Sequence, residues 1–331
     1  MSGSFRNLQN LKRVNVTLPT DENGLLGREC PAEACLGYFK VKSGTGLKGT
    51  DLDCHCPYCG HTASQDHFYT EDQLKYARSV AIQQVQQALR ADLKTFEFDH
   101  PAKGSFGIGI SLTLKDSPRW PLHRYRENRL ETHVTCSGCT LEYAVYGVFA
   151  FCPDCGVHNS LQILDRNLDL VRRQLVLASS LADDDMRIHL IEDALENCVS
   201  AFDGFGRESC RVRARASRAP DKVNAISFQN LQTASERLRS LFDVDFKGAV
   251  DTQLWRRSRL AFMRRHLIAH RSGVVDDKYV SETQDHTFAL GRRLRIDPAD
   301  ILALTSDVQN LGEQLLSVLP APLALNGPND R

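Results

Sequence analysis

Long apolar runs are missing from this chain. No stretch of about 18 consecutive apolar residues occurs, so no segment is expected to span a membrane. The opening residues, MSGSFRNLQNLKRVNV, lack the apolar h-region of a secretory signal, and a cytoplasmic location is expected. Net charge is missing too. The 41 Lys and Arg balance 41 Asp and Glu, so no global basic field would draw in a nucleic acid. Cysteine is scarce in one half only: nine of the eleven fall before residue 160. Without an export signal, they argue against a disulfide framework. At 331 residues and 42% hydrophobic content, the chain has enough material for two or three domains with real cores.

The cysteines that are present carry the clearest pattern. In CSGC…CPDCG, Cys136 and Cys139 are followed, after 12 intervening residues, by Cys152 and Cys155. Two C-x2-C pairs meet the tetrahedral four-sulfur demand of structural zinc. The residues between them, TLEYAVYGVFAF, read as a hairpin about Gly147, and Gly156 suits a knuckle turn with positive φ. Its aromatics Tyr143, Tyr146, Phe149 and Phe151 suit either a small core or base stacking. An earlier, less regular set runs RECPAEACLGYFKV and then DCHCPYCGH. Cys30, Cys35, Cys56 and Cys59 are the favoured ligands there, with Cys54, His55 and His61 competing for the fourth position. Both sets offer closed sites of four protein ligands, which contribute to folding and leave no place for substrate water. Two structural Zn2+ ions and no catalytic metal are therefore expected.

Between these sets, Leu74, Ala77, Ala81, Val85, Leu89, Leu93 and Phe96 follow helical spacing behind a cap at Thr70. PAKGSFGIGISLTL is strand-like and is expected to join the sheet of the second ribbon. Beyond residue 160 the periodicity is helical. One helix starts at the cap Asn159 or Ser160, and the next sets Met186, Ile188, Leu190, Ile191, Leu195, Cys198 and Phe202 largely on one stripe. Arg211, Arg213, Arg215 and Arg218 read as a basic tail. Arg256, Arg257 and Arg259 read as a solvated helix face. Asp297-Pro298 caps the last helix, and PAPLALNGPNDR is expected to fray. The expected fold class is α+β. Zinc-ribbon modules occupy 1–69 and 99–158, a connecting helix 70–98, and an all-α bundle 159–325.

In the bundle, FMRRHLIAHRSGVVDDKY places an arginine and two histidines near a helix end that Ser272-Gly273 would terminate. One reading is a solvated surface favourable to the helix dipole. A metal reading takes His266 and His270 as an i, i+4 pair, with His286 as a third ligand. However, Leu267 stands where H-E-x-x-H needs its glutamate. A catalytic reading starts from RNA cleavage without metal, which needs a base for the 2′-OH, an acid for the leaving oxygen, and a cation for the phosphorane. Histidine suits the proton transfers, and arginine the phosphate oxygen. A place near the helix C-terminus would favour imidazolium. At about 100° per residue, Arg265 and His270 lie about 140° apart, so two copies of the helix facing each other would be needed to join them.

Arg265-His266-Leu267-Ile268-Ala269-His270, with the following RSGVVDDKY, resembles the R-x(4–6)-H motif of HEPN (higher eukaryotes and prokaryotes nucleotide-binding) domains. The resemblance is close over residues 261–280 and extends over about 160–320 as helix pattern. It implies a HEPN-like helical bundle and a metal-independent endoribonuclease, commonly dimeric, of toxin–antitoxin, anti-phage or RNA-processing systems. Its products would carry 2′,3′-cyclic phosphate and 5′-OH ends. It also implies Arg265 and His270 as the catalytic pair and His266 as the polar motif residue, with Arg264 as an alternative arginine. Ser272 stands where one nucleotide-transfer-regulated subgroup has tyrosine, which argues against that subgroup. The expected partners are an RNA substrate, a second copy through the Arg265/His270 helix, and a regulatory protein at the zinc ribbons. The alternative is a non-catalytic zinc-ribbon and helical adaptor that binds nucleic acid or protein.

Overall fold

The computed structural model describes residues 5–49, 52–101, 109–115, 118–130 and 132–322. The chain is mixed α+β and divides into two compact units, Met1–Gly147 with Cys152–Cys155, and Val148–Phe151 with Gly156–Arg331. No helix among the described residues is long and apolar enough to cross a membrane.

The first unit runs α1 (Arg6–Asn10), β1 (Leu25–Glu29), β2 (Tyr38–Lys42), β3 (Asp53–His55), β4 (Thr62–Ser64), α2 (Glu71–Lys94), β5 (Phe98–His100), β6 (Ile110–Leu112), β7 (Thr132–Thr135) and β8 (Glu142–Val145). Its main sheet has the order β1-β2-β8-β7 and is antiparallel throughout, with Leu26 opposite Val41, Val41 opposite Tyr143, and Tyr143 opposite Val134. Both cysteine-rich segments thus supply strands to one sheet. Phe39 and Phe68 are fully buried and meet edge to face at 5.9 Å.

Two strand expectations change. The strand-like 110–112 pairs with 98–100 in a separate hairpin, not with the main sheet, and residues 102–108 lie outside the described set. Strand β8 pairs backward with β7 through the CSGC knuckle, not forward across Gly147. Phe151 makes only an isolated bridge with His158, and both Phe149 and Phe151 pack on that imidazole, at 6.3 and 4.7 Å.

Helix α2 begins at Thr70 with a full capping box to Gln73, but its apolar stripe is not buried. Leu74 and Val85 are exposed, and polar side chains tie the helix down instead. Gln73 Nε2 donates to the Gly27 carbonyl at 2.8 Å, and Asp92 accepts from the backbone amides of Asn7 and Leu8 at 2.9 and 2.8 Å. Buried hydrogen bonds here do the positioning that the spacing assigned to leucines.

The second unit contains α3 (Ser160–Ser179), α4 (Asp184–Arg211), α5 (Leu231–Phe242), α6 (Phe246–Ala249), α7 (Thr252–Arg271), α8 (Asp277–Thr283) and α9 (Pro298–Val318). Its core gathers around Phe202, whose ring lies 5.7–6.0 Å from Phe205, Phe228 and Phe262. A Cβ at Gly206 would stand 2.5 Å from the Phe228 ring, so that close approach needs glycine. Asp183, Asn230, Asp251 and Asp297 cap their helices through their side chains. Asn159 precedes α3 without capping it. Its side chain bonds Ala150 N and Val148 O instead, closing the Phe151–His158 turn. Met186 and Ile188 are exposed, so the α4 stripe narrows to its C-terminal members.

The basic tail is exposed at Arg211, Arg215 and Arg218 but not at Arg213. Arg213 is buried and donates to the carbonyls of Ser209 and Pro320 at 2.9 and 2.7 Å, while Arg211 chelates Glu208. Those carbonyls near helix ends supply the acceptors that water would otherwise provide. The C-terminal tail beyond Pro322 lies outside the described residues.

Candidate functional site

The two cysteine sets close into two groups of four. Cys30, Cys35, Cys56 and Cys59 form one and Cys136, Cys139, Cys152 and Cys155 the other, with all Sγ atoms of a group within 4.8 Å of one another. The pairs sit where chains reverse. Cys30 and Cys35 lie between β1 and β2, Cys56 and Cys59 between β3 and β4, and Cys136 and Cys139 between β7 and β8. In each C-x2-C knuckle of the hairpins a backbone amide turns onto the first sulfur, Tyr58 N on Cys56 and Gly138 N on Cys136, both at 3.4 Å. Gly60 and Gly156 follow the second cysteine of their pairs with φ of 72° and 67°.

Sulfur–sulfur spacings of 3.7 Å for Cys30–Cys59 and Cys35–Cys56, 3.6 Å for Cys136–Cys155 and 3.5 Å for Cys139–Cys152 decide what the groups can hold. Four sulfurs at about 2.3 Å from a common ion stand about 3.8 Å apart in a tetrahedron. Both groups could therefore hold a metal ion, with every ligand position filled by protein. The competitors fall away: Cys54 is outside the cluster, and His55 Nδ1 is bonded to Thr62 Oγ1 at 2.9 Å.

On α7 the three motif residues separate by face. Ser258, Phe262 and Arg265 form a stripe that is 0%, 2% and 4% exposed. His266 and His270 are exposed on another face, their rings 4.6 Å apart. Arg265 is thus not a solvated surface residue. Its Nε and Nη2 are buried without any hydrogen-bond partner, and among the described residues no ion pair engages it. A buried guanidinium without a partner is costly, because arginine does not deprotonate.

The neighbouring arginine is occupied. Arg264 bonds Asp285 at 3.0 Å, Asp300 at 3.1 Å and the Tyr279 hydroxyl at 3.4 Å, while Tyr279 donates to Asp285 at 2.5 Å. Burial pushes Asp285 up. Hydrogen bonds from Thr287, Tyr279 and Arg264 outweigh it and hold the carboxyl well below the usual range. Of the two candidate arginines, Arg264 is committed to three oxygens, and Arg265 has two buried nitrogens without a partner. Sequence reasoning did not find Asp285, since nothing about QDH marks it.

The helix ends as expected. Ser272 and Gly273 take φ of 52° and 77°. Val274 bridges Arg293, Val275 is buried, and Asp276 caps α8 through Tyr279 N at 2.8 Å. The segment RSGVVDDKY is therefore a helix stop, a bridge and a helix start in succession. His266 departs from the imidazolium expectation. Partial burial, then the positive fields of His270, Lys278 and Arg265, lower its pKa. No hydrogen bond joins Arg265 to either histidine within one chain.

Compared with known proteins, the chain matches no family model, no curated protein and no solved structure.

Proposed function

We propose that the chain is a metal-independent endoribonuclease whose centre is Arg265, His266 and His270 on α7, in a HEPN-like helical unit joined to a unit with two structural zinc sites. One observation carries the reading: Arg265 is buried with two guanidinium nitrogens unpaired, on the helix that presents a pair of exposed imidazoles on another face. The proposed roles are Arg265 as the cation for a phosphate oxygen, His266 as the base for the 2′-OH proton, and His270 as the acid for the leaving oxygen. His270 lies in the last turn of α7. Attack by the 2′-OH leaves a 2′,3′-cyclic phosphate and a 5′-OH.

The opposite facing of Arg265 and His270 supports a homodimer through this helix, each copy completing the other's site. In this reading both cysteine groups hold Zn2+ for folding, and the zinc-bearing unit selects RNA or receives a regulatory protein.

The test is cleavage of a panel of RNAs, intact tRNA included, in a short assay with EDTA. Wild type should cut, while Arg265→Ala and His270→Ala, shown to be folded and zinc-loaded, should lose at least about a hundredfold. Equal cleavage by wild type and both variants would sink the reading. So would RNA binding without cleavage at protein concentrations that saturate any dimer, which points to the adaptor.

A further inference from the structure

A second feature of the same helix lies one turn and more before the motif. Trp255, Arg256, Arg259 and Leu260 of α7 line a cavity of about 370 Å³, together with Lys247, Thr283, Gln284 and Asp285 among others. Its volume falls in the range of ligand pockets, which hold an apolar wall and a few charged groups. Trp255 and Leu260 form that wall, and Trp255 is fixed by an edge-to-face contact with Phe246 at 5.6 Å. The charges are lopsided. Asp285 is the one acid in the lining, and Arg264 and Tyr279 already bind its carboxylate. Among the described residues, Lys247 and Arg256 are in no ion pair, and Arg259 gives one nitrogen to the Glu282 carbonyl at 3.0 Å. Three cations therefore face a cavity whose only carboxylate is neutralised.

Helix geometry ties this cavity to the histidines. Arg259, His266 and His270 fall within about 20° of one face at 100° per residue, and His266 is about 10 Å further along the axis. That span corresponds to about three nucleotides of a stacked strand. We propose that the cavity binds a nucleotide of single-stranded RNA about three positions from the bond cleaved at the histidines. Its phosphate meets Lys247, Arg256 and Arg259, and its base lies against Trp255 and Leu260. The proposal rests on the ribonuclease reading for the identity of the ligand as RNA.

The test uses the full-length, zinc-loaded protein with Trp120→Phe, which leaves Trp255 as the sole tryptophan of two. The probe is a single-stranded RNA of about ten nucleotides, 2′-O-methylated throughout so that it cannot be cleaved. Tryptophan fluorescence should change and saturate at the same Kd as the anisotropy of a labelled copy. Lys247→Gln with Arg256→Gln, both exposed and unpaired, should weaken that Kd about tenfold or more and reduce the slope of log K on log salt by about 1.4. Arg187→Ala, a half-buried arginine of α4 paired with Asp184, should change neither.

Binding without a Trp255 response, and undiminished in the double variant, overturns the cavity proposal while cleavage still supports the ribonuclease. A saturable Trp255 response that the double variant weakens, in a protein that never cuts unmodified RNA, supports the cavity and sinks the ribonuclease. Absence of both binding and cleavage overturns both.

Discussion

Replacing Arg265 with methionine should make the protein more stable while abolishing the proposed RNA cleavage. The side chain is 4% exposed, and its Nε and Nη2 lack partners. A buried unsatisfied polar group costs about 1–3 kcal/mol. Apolar replacement of buried ionic groups has stabilised proteins by about 1–4 kcal/mol. Methionine follows the same unbranched path through the core and has nearly the helix propensity of arginine, so little is lost on either count. The net expectation is a gain of about 1–3 kcal/mol, offset in part by whatever packing the buried side chain makes in the core. Urea unfolding followed by far-ultraviolet circular dichroism, with zinc in slight excess, should show the midpoint rising by several tenths of a molar or more. A loss of about 2 kcal/mol or more would refute the reasoning. It would mean that the folded protein, alone or as a dimer, already supplies Arg265 with an acid.

Three further outcomes follow from the geometry. The purified chain should carry two zinc ions, and Cys59→Ser or Cys139→Ser should each leave one, measured by elemental analysis; full zinc content in either variant would contradict the four-sulfur assignment. Burial pushes Glu208 up, but its bonds to Arg211 and His158 prevail and bring it to about 2. A depressed carboxylate stabilises the fold above its unfolded pKa and loses that contribution as pH falls through the folded one. The difference between wild type and Glu208→Gln, up to about 3 kcal/mol near pH 7, should therefore shrink steadily from about pH 5 towards pH 2; a pH-independent difference in urea midpoints would refute it. Asp285→Asn should cost about 2–3 kcal/mol, because the exposed Asp300 is then the one acid Arg264 keeps. A double-mutant cycle with Arg264→Ala should show coupling above about 1 kcal/mol, and coupling near zero would place the pair with ordinary surface bridges.

What was legible in the sequence was whatever depends on neighbours along the chain. The four-sulfur groups follow from short knuckles whose spacing is set by tetrahedral ligation. Thr70 with Gln73, Asp297 with Pro298, and Ser272 with Gly273 mark helix ends because capping acts over three or four residues. What spacing could not supply was non-local. Lys40 pairs with Ala144 across 104 positions, so no local pattern reveals that both cysteine segments share one sheet. The same holds for Arg213, buried by carbonyls from Ser209 and Pro320. It holds equally for Arg264 and Arg265, adjacent and chemically identical, which only the positions of Asp285 and Asp300 tell apart. Periodicity misled at α2, where Leu74 and Val85 of the predicted stripe are exposed and buried polar bonds hold the helix.

The measurement that bears most directly on the central claim is the chemistry of the cut ends. Fragments of a cleaved RNA should carry a 2′,3′-cyclic phosphate and a 5′-OH, and a single 2′-deoxy substitution at the cleaved nucleotide should stop the reaction there. Ends bearing 3′-OH and 5′-phosphate, formed equally well at the 2′-deoxy position, would mean that water and not the 2′-OH attacks. That result would contradict the roles given to Arg265, His266 and His270.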